Sequence, residues 1–243
     1  MAQSDFTDLT GILNSATVKR VATAAMTPPA GGGSFVLGMR SLVVATGVVA
    51  SFYNGAGFAP YAKGGVISAA LKRGISGGDE GFAPMIFLNL QGTAVASNGY
   101  LLGLSDAEPS HLVLKKGPMS TGLPDDAPGT NGVIWRSTLT YERDTWVHCR
   151  LMAAWNADGD VVLTVYTNDL DAHNVDTPTW VALPGAAIDG AVVPVGLNGL
   201  TDDAAGIVTG SASYAGGRAG FGVYVSDTNR VVAFDQIAIE AQT

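Results

Sequence analysis

The chain is poor in cysteine and in basic residues. Its 243 residues include one cysteine, Cys149, so no disulfide can form within the chain and no cysteine-based metal cluster is available. Lys and Arg number 13 against 21 Asp and Glu, which gives a net charge of −8. A surface that follows a phosphate backbone needs clustered basic residues, and the largest groups here are pairs such as Lys115–Lys116 and Lys72–Arg73. We therefore expect no nucleic-acid partner, and the same deficit argues against binding to an anionic membrane.

Long apolar runs are absent as well. The longest, residues 42–53, is interrupted by Thr46, Gly47 and Ser51, and a transmembrane helix needs about 20 apolar residues. The N-terminus carries Asp5 where a secretory leader carries basic residues. We expect a protein that is made in the cytoplasm without a signal peptide and does not insert into a membrane. The lone thiol fits a reducing compartment.

Helical periodicity is scarce. A short N-terminal helix is predicted over residues 4–13, with Ser4 or Asp5 as its cap and apolar residues at positions 6, 9 and 13 on one side. Beyond it we find no segment with a sustained period of 3.6 residues.

Apolar residues instead alternate in twos, which is typical of strands. In residues 146–153 the odd positions are apolar, and the even positions carry Trp146, His148, Arg150 and Met152. This pattern predicts a strand with one face in the core and a more polar face opposite.

A second alternating run, residues 161–165, follows the sequence Asn-Ala-Asp-Gly-Asp at 156–160. An Asp-Gly pair between two such runs indicates a tight hairpin, because both central residues must accept positive φ. Cys149 lies on the apolar face of the first strand, so we expect a buried and unreactive thiol.

Similar runs recur along the chain, separated by many of its 32 glycines and 11 prolines. Further strands are predicted near residues 18–24, 35–40, 42–52, 65–72, 84–91, 99–104, 111–116, 133–140, 192–196, 220–226 and 230–240. The pattern predicts an all-β fold, a two-sheet antiparallel jelly-roll sandwich. We interpret residues 1–243 as a single domain, in which residues 1–30 form an N-terminal arm or short helix plus the first strand.

Three of the predicted loops, 117–132, 167–191 and 197–219, are long for a sandwich. Long loops on a rigid sheet are where binding usually takes place. Packing against the sheet edges or against a neighbouring subunit explains these loops equally well. The sequence favours neither binding nor packing.

Motifs for catalysis lack their structural context. Residues 74–78, Gly-Ile-Ser-Gly-Gly, match the G-x-S-x-G pattern of hydrolases, but that motif needs a helix after it and an apolar strand follows instead. The E-x-D-x-x-E run of jelly-roll glycosidases is missing. His111, His148 and His173 share no metal-ligand spacing. We therefore predict a non-enzymatic protein without a cofactor.

Several carboxylates remain to be explained. Asp158 and Asp160 fit the chemistry of the hairpin turn. Asp202 and Asp203 offer oxygens either to calcium or to the backbone of their own loop. Asp235 falls on the same predicted strand face as the apolar positions 231, 237 and 239. Burial there requires hydrogen bonds or a cation, and we interpret Asp235 as a structural anchor for a neighbouring loop.

Three parts of the chain carry a family resemblance. They are residues 99–117; residues 145–151, with the pattern T-W-x-x-x-R, continuing to 155–160; and residues 202–206, leading to 217–222 and the closing Phe234-Asp235. Together they resemble tailed-bacteriophage virion structural proteins with concanavalin-A-like, laminin-G-like sandwiches. The likeness covers roughly residues 85 to 240, and it supports the jelly-roll fold class reached from the strand pattern.

The resemblance implies a non-enzymatic component of a tailed-phage virion, associated with the tail or baseplate and able to contact a host-surface glycan. Its partners would be other virion proteins and further copies of itself, as a trimer. The alternatives are a capsid-surface decoration protein and a carbohydrate-binding adhesin. For a glycan, the candidate stacking residues are the aromatics Tyr53, Phe58, Tyr61 and Tyr214, each of which also fits a place in the core or an interface.

Overall fold

The alternating pattern forms two antiparallel sheets. The computed structural model describes residues 2–4, 12–13, 18–22, 29–32, 35–40, 47–53, 64–73, 82–92, 96–187, 199–202, 212–225 and 231–240. A nine-stranded sheet has the spatial order β13 (Trp180–Ala182), β12 (Val161–Asn168), β11 (Val147–Trp155), β6 (Gly65–Arg73), β17 (Val231–Glu240), β4 (Phe35–Arg40) and β3 (Val18–Ala22). Two short strands complete it, since β1 (Ala2–Ser4) pairs with β17 and β15 (Leu200–Asp202) pairs with β12.

The second sheet has eight strands. Their order is β14 (Gly185–Ala187), β10 (Val133–Tyr141), β9 (Ser110–Pro118), β8 (Asn98–Leu104), β7 (Phe82–Leu90), β16 (Arg218–Val225), β5 (Gly47–Tyr53) and β2 (Ile12–Leu13). A short 3-10 helix, Met119–Thr121, follows β9. The predicted all-β, two-sheet antiparallel jelly-roll sandwich is therefore confirmed. In the described part of the chain, no helix is long and apolar enough to cross a bilayer.

Some predicted element boundaries are corrected. The proposed helix over residues 4–13 is wrong at both ends, because Ser4 pairs with Ile237 and residues 12–13 pair with β5; residues 5–11 lie outside the described residues. Backbone pairing to a sheet outweighs three apolar residues at helical spacing. The predicted strand at 192–196 also lies outside the described residues.

Two of the predicted loops contain short strands. β13 and β14 lie within 167–191, and β15 lies within 197–219. Each has three residues, which is too few for an alternating pattern to be recognised from the sequence.

The core lies between the inner faces of the two sheets. In the nine-stranded sheet Leu151 pairs with Ile67, and in the eight-stranded sheet Leu102 pairs with Ile86 and with Leu114. All five side chains are buried in one apolar cluster. Cys149 lies in the same cluster and is fully buried, which confirms its predicted burial. This burial raises the pKa of its thiol and favours the unreactive protonated form.

The predicted hairpin at 156–160 is confirmed, with a different turn. Strands β11 and β12 pair up to Trp155 and Val161. Gly159 has a φ of 86°, whereas Asp158 is not among the residues with positive φ. Asn156 Oδ1 accepts hydrogen bonds from the N–H groups of Asp158 (3.0 Å) and Asp160 (2.9 Å). Hydrogen bonds from the Asn156 side chain therefore stabilise the turn, and Asp158 does not need a positive φ.

The loop at 117–132 covers the outer face of the eight-stranded sheet. Met119 and Leu123 are buried against Phe87, Leu101 and other residues of that face, in a second apolar cluster. This loop therefore packs against the sheet, which is one of the two functions that the sequence left open.

A buried polar group joins the two sheets at one end. Lys116 Nζ lies 2.8 Å from both carboxylate oxygens of Asp202, and Tyr100 donates a hydrogen bond of 2.5 Å to the same carboxylate. Lys116 and Tyr100 belong to the eight-stranded sheet and Asp202 to the nine-stranded sheet. Since Asp202 is completely buried, its charge depends on these partners.

Arg73 links the sheets at the opposite end. It is 1% exposed, and its guanidinium donates to the backbone oxygens of Ser105 (3.2 Å) and Ala107 and to the hydroxyl of Ser110. The carboxylate of Glu108 lies 3.6 Å away. The connection between β8 and β9 is thereby fixed to the end of β6.

We expect Asp202→Asn to lower the free energy of unfolding by about 3–5 kcal/mol, because it leaves the buried Lys116 ammonium without a counter-charge. Urea unfolding at neutral pH measures this change. Glu240→Gln is the matched control, since Glu240 lies 3.9 Å from Arg150 and the two side chains are 35% and 24% exposed, and a change below about 1 kcal/mol is expected there. Equal losses in the two variants would contradict the structural importance of the buried pair.

Candidate functional site

The candidate site is a cleft on the outer face of the nine-stranded sheet. Alternation turns Ile67 and Leu71 into the core, so Ser68 and Ala70 of β6 face outward. On the neighbouring β11, Arg150 pairs with Ser68 and His148 pairs with Ala70. Small residues on β6 beside large ones on β11 leave a depression. The resulting cleft has a volume of about 230 Å³, with Ser68 and Ala238 among the small residues that line it.

Besides the small residues and Val175 and Pro178, this outer-face cleft is lined by polar or aromatic residues: His148, Arg150, Asp176, Trp180, Gln236 and Glu240. Strands β11, β13 and β17 supply five of them, and the connection between β12 and β13 supplies Asp176. Residues on rigid strands hold their positions more accurately than residues on loops.

Asn168 fixes the connection that forms one wall. Its side-chain amide donates to Asn174 O at 3.1 Å and lies 3.1 Å from His148 Nδ1. Its Oδ1 accepts from the N–H of Thr179 at 2.9 Å. Val175 in the same connection is buried and donates its N–H to Ala30 O at 2.9 Å. The wall is therefore attached to β12 through Asn168 and to the turn at 29–32 through Val175.

This network also sets the tautomer of His148. The orientation of the Asn168 amide is determined by Thr179 and Asn174, so Nδ2 must be the donor toward His148 Nδ1. The ring proton then resides on Nε2. Burial lowers the pKa of His148 to about 4, so the ring is neutral at pH 7. His148 is a hydrogen-bond donor with no free ring lone pair, and in this arrangement it is unsuited to act as a general base.

Arg150 is held by aromatic rings. Its guanidinium carbon lies 5.6 Å from the centre of the Trp180 ring and 5.9 Å from that of Tyr166. The distance from Nη2 to Glu240 Oε2 is 3.9 Å, which is too long for a hydrogen bond. Cation–π contacts fix the side chain without using its N–H donors, so the guanidinium can still bind a ligand.

A β-bulge brings Gln236 to the cleft. The register of β17 against β6 shifts between Asp235 and Ala238, and Gln236 has a φ of 48°. Its side-chain amide donates to Asp176 Oδ1 at 3.0 Å. The bulge thus connects β17 to the wall formed by the β12–β13 connection.

The bulge also corrects the position of Asp235. Its predicted burial is confirmed, at 2% exposure. The core-facing residues are Val232 and Phe234 before the bulge and Ile237 and Ile239 after it. Because the extra residue changes the phase of alternation, Asp235 faces away from the core, and the predicted common face with positions 237 and 239 is wrong.

The environment of Asp235 disfavours its charge. Oδ1 accepts the N–H of Gln236 at 2.8 Å, while Oδ2 is buried without a hydrogen-bond partner in the described structure. Burial, together with the negative charge of Asp176, raises the pKa of Asp235 to about 6. The link to the neighbouring loop is made by Gln236 and not by Asp235 itself.

Those aromatic and acidic residues proposed from the sequence that the structure describes lie outside this cleft. Tyr214 is half-buried, its ring centre is 5.4 Å from that of Tyr100, and its N–H donates to Tyr100 Oη at 2.9 Å. Asp202 forms the inter-sheet ion pair. The backbone of Tyr53 belongs to β5 in the other sheet. Phe58, Tyr61 and Asp203 lie outside the described residues, as do Ser76 and its glycines.

The other candidates do not assemble into a site. His111 Nδ1 lies 3.0 Å from Ser137 O, and His173 Nδ1 lies 3.4 Å from the hydroxyl of Thr179. Asp158 and Asp160 stay in the hairpin turn. Across the described ranges, no group of three His, Cys, Asp or Glu side chains is arranged to hold a metal ion.

Part of the cleft can be recognised from the sequence. His148 and Arg150 belong to the polar face of the first alternating run. His148 shares no metal-ligand spacing with the other histidines, and its hydrogen bond to Asn168 gives it a structural role. Trp180 and Gln236 were missed, because one lies in a strand of three residues and the other beside a bulge.

Comparisons with known proteins support the fold. No family model and no curated protein sequence matches the chain. Among solved structures, the PL-14 alginate lyase from Aplysia kurodai is similar over 95% of this chain and 89% of its own, with a TM-score of 0.53 and 8% identity. The carbohydrate-binding module CBM66 from Bacillus subtilis has a TM-score of 0.45 and 15% identity, covering 84% of this chain and 86% of its own.

The carbohydrate recognition domain of Emp47p has a TM-score of 0.44 and 9% identity, over 93% of this chain and 89% of its own. Two of these neighbours are named for carbohydrate binding. At these identities the likeness establishes the shared fold alone.

The raised pKa of Asp235 predicts a pH dependence of stability. Between an unfolded pKa of about 3.9 and the folded value of about 6, the folded state binds more protons, so stability falls as the pH rises from about 4 to 6. Asp235→Asn removes this titration and should flatten that part of the profile, which urea unfolding at several pH values measures. Asp158→Asn, an exposed turn carboxylate, is the control. An unchanged slope in Asp235→Asn would contradict the assignment.

Proposed function

We propose that this protein is a non-enzymatic carbohydrate-recognition domain carried on a tailed-phage virion, and that it contacts a host-surface glycan through the outer-face cleft. The observation that carries the proposal is the Trp180 ring beside a floor of small residues, surrounded by the polar groups of Arg150, Gln236 and Glu240. An aromatic face packs against the C–H groups of a sugar ring. Directed donors and acceptors suit its hydroxyl groups.

The cleft suits a short part of a glycan. Its volume of about 230 Å³ lies below the roughly 300–1,000 Å³ of sites that enclose drug-sized ligands. One sugar unit would occupy the floor, and the rest of the chain would extend across the exposed rim near Asp176.

The charges in the cleft favour a neutral glycan. Arg150 contributes one positive charge, Asp176 and Glu240 contribute two negative charges, and His148 is neutral because burial lowers its pKa to about 4. The local balance is therefore negative, as is the whole chain at −8. An acidic sugar would meet repulsion from the two carboxylates, so neutral hexoses and N-acetylhexosamines should bind better than uronates or sialylated glycans.

The same geometry supports the absence of catalysis. A lyase acting on a uronate, as the name of one structural neighbour indicates for that protein, must remove a proton from the sugar ring. His148 is a donor in its present tautomer, and Asp176 is hydrogen-bonded to Gln236. The cleft therefore offers groups for holding a sugar, and the imidazole of His148 is not positioned to act as a base.

A glycan array followed by calorimetry on the best ligand tests this proposal. Trp180→Ala should weaken binding by at least about tenfold, the size expected from losing a central aromatic contact. Trp155→Ala is the matched control, because Trp155 is 37% exposed at the far end of β11 and lies outside the cleft. Equal losses in both variants, or no glycan binding by the native protein, would contradict the cleft as the site.

Catalysis is tested on the same glycans by measuring reducing ends and unsaturated uronates. We expect neither product. A signal that disappears in Glu240→Gln would overturn the non-enzymatic assignment and identify the cleft as an active site.

The virion setting rests on the sequence resemblance to tailed-phage structural proteins. We expect the protein in purified particles at many copies, detected by mass spectrometry and located at the tail or baseplate by immunogold labelling. Labelling of the capsid surface would favour the decoration alternative. Light scattering of the purified protein tests the expected trimer. A monomer that is absent from particles would contradict this setting while leaving glycan binding intact.

A further inference from the structure

A second groove lies on the opposite side of the sandwich, over the outer face of the eight-stranded sheet. Its volume is about 560 Å³, and the residues around it include Lys115, Ser120, Thr121, Asn131 and Tyr224. It belongs to the other sheet and shares no lining residue with the outer-face cleft. Any ligand there would bind independently of a glycan.

Lys115 is an unusual feature of this groove. It is 1% exposed and lies on the outer face of β9, paired with Leu101 on one side and Val133 on the other. Both neighbours belong to the second apolar cluster. An apolar side chain at this position would complete the cluster without the cost of burying an ammonium group.

Lys115 forms no ion pair within 4 Å in the described structure. Its Nζ donates to Thr121 Oγ1 and to Gly122 O, the latter at 3.1 Å. The other buried lysines that the structure describes are both paired, Lys72 with Asp144 and Lys116 with Asp202. Within the described ranges, no carboxylate forms an ion pair with Lys115 inside 4 Å.

The amine remains available to a ligand. An ammonium has three N–H donors, and the loop oxygens use two of them. Burial lowers the pKa of Lys115 to about 8, with the negative charge of Asp126 acting in the opposite direction, so the group is mainly charged at pH 7. Asp126 is itself bonded to Asn131 at 2.6 Å.

We propose that this groove binds an anionic group, a carboxylate or a phosphate, for which Lys115 is the counter-charge. The exposed hydroxyl of Ser120 at the rim would supply a further donor. A charge-assisted bond to a buried ammonium is stronger than a neutral one, which accounts for a lysine at a position that packing alone would fill with an apolar residue.

Titration of the ¹⁵N-labelled full chain with acetate and, separately, with inorganic phosphate tests the proposal at constant ionic strength. Saturable shifts of the amides of Thr121, Gly122 and Gly132 are expected with at least one anion, and the stronger binder distinguishes a carboxylate from a phosphate ligand. Lys115→Met should weaken this binding by at least about tenfold. Lys72→Met is the matched control, since the charge of Lys72 is already compensated by Asp144, and it should leave the binding unchanged.

A measurement on the native protein covers the case in which Lys115→Met does not fold. A bound anion stabilises the ammonium form, so the Lys115 pKa, followed by NMR of its side chain, should rise when the anion is added. Absence of saturable shifts, equal binding in Lys115→Met, or an unchanged Lys115 pKa at saturation would each overturn the proposal. None of these outcomes bears on glycan binding at the other sheet.

Discussion

Lys116 and Asp202 form an ion pair between the two sheets, with both side chains withdrawn from water. The pair stabilises the sandwich only because its geometry is close and Tyr100 shares the carboxylate. At the opposite end Arg73 satisfies backbone oxygens of the connection between β8 and β9. The space between these two polar links is filled by apolar side chains. The registers of both sheets must bring these residues together, so the links select one arrangement of the sheets over its slipped alternatives.

Among the described residues, the space between the sheets is occupied by the first apolar cluster. Both grooves lie on outer faces, where alternation places the side chains that the core does not use. On the nine-stranded sheet small residues on β6 stand beside His148 and Arg150 on β11. On the eight-stranded sheet the loop after β9 covers part of the face and leaves a groove beside Lys115. In each case the proposed ligand contacts side chains of a rigid sheet that the adjoining loop does not cover.

The fold could be predicted from the sequence because its long strands alternate cleanly and the core follows one face of each. The buried Cys149 and the hairpin at 156–160 were reached in this way. The site could be predicted only in part. Alternation places His148 and Arg150 on one face, but Trp180 lies in a strand of three residues and Gln236 reaches the cleft through a bulge, and neither leaves a periodic signal. Lys116 and Asp202 are 86 residues apart, so their pairing depends on the order of strands, which one sequence does not fix.

The cationic and titratable residues at the two grooves differ in how their charge is compensated. This difference distinguishes side chains with a structural role from those proposed to bind a ligand. His148 is neutral and is hydrogen-bonded to Asn168, so it needs no counter-charge. Arg150 is held by the rings of Trp180 and Tyr166, which compensate its charge without using its N–H donors. Lys115 has hydrogen bonds but no ion pair within the described structure. In the buried pair of Lys116 and Asp202 each charge compensates the other, which leaves neither charge for a ligand. The guanidinium and the ammonium at the grooves retain donors, and unused donors beside an open groove are what a ligand requires.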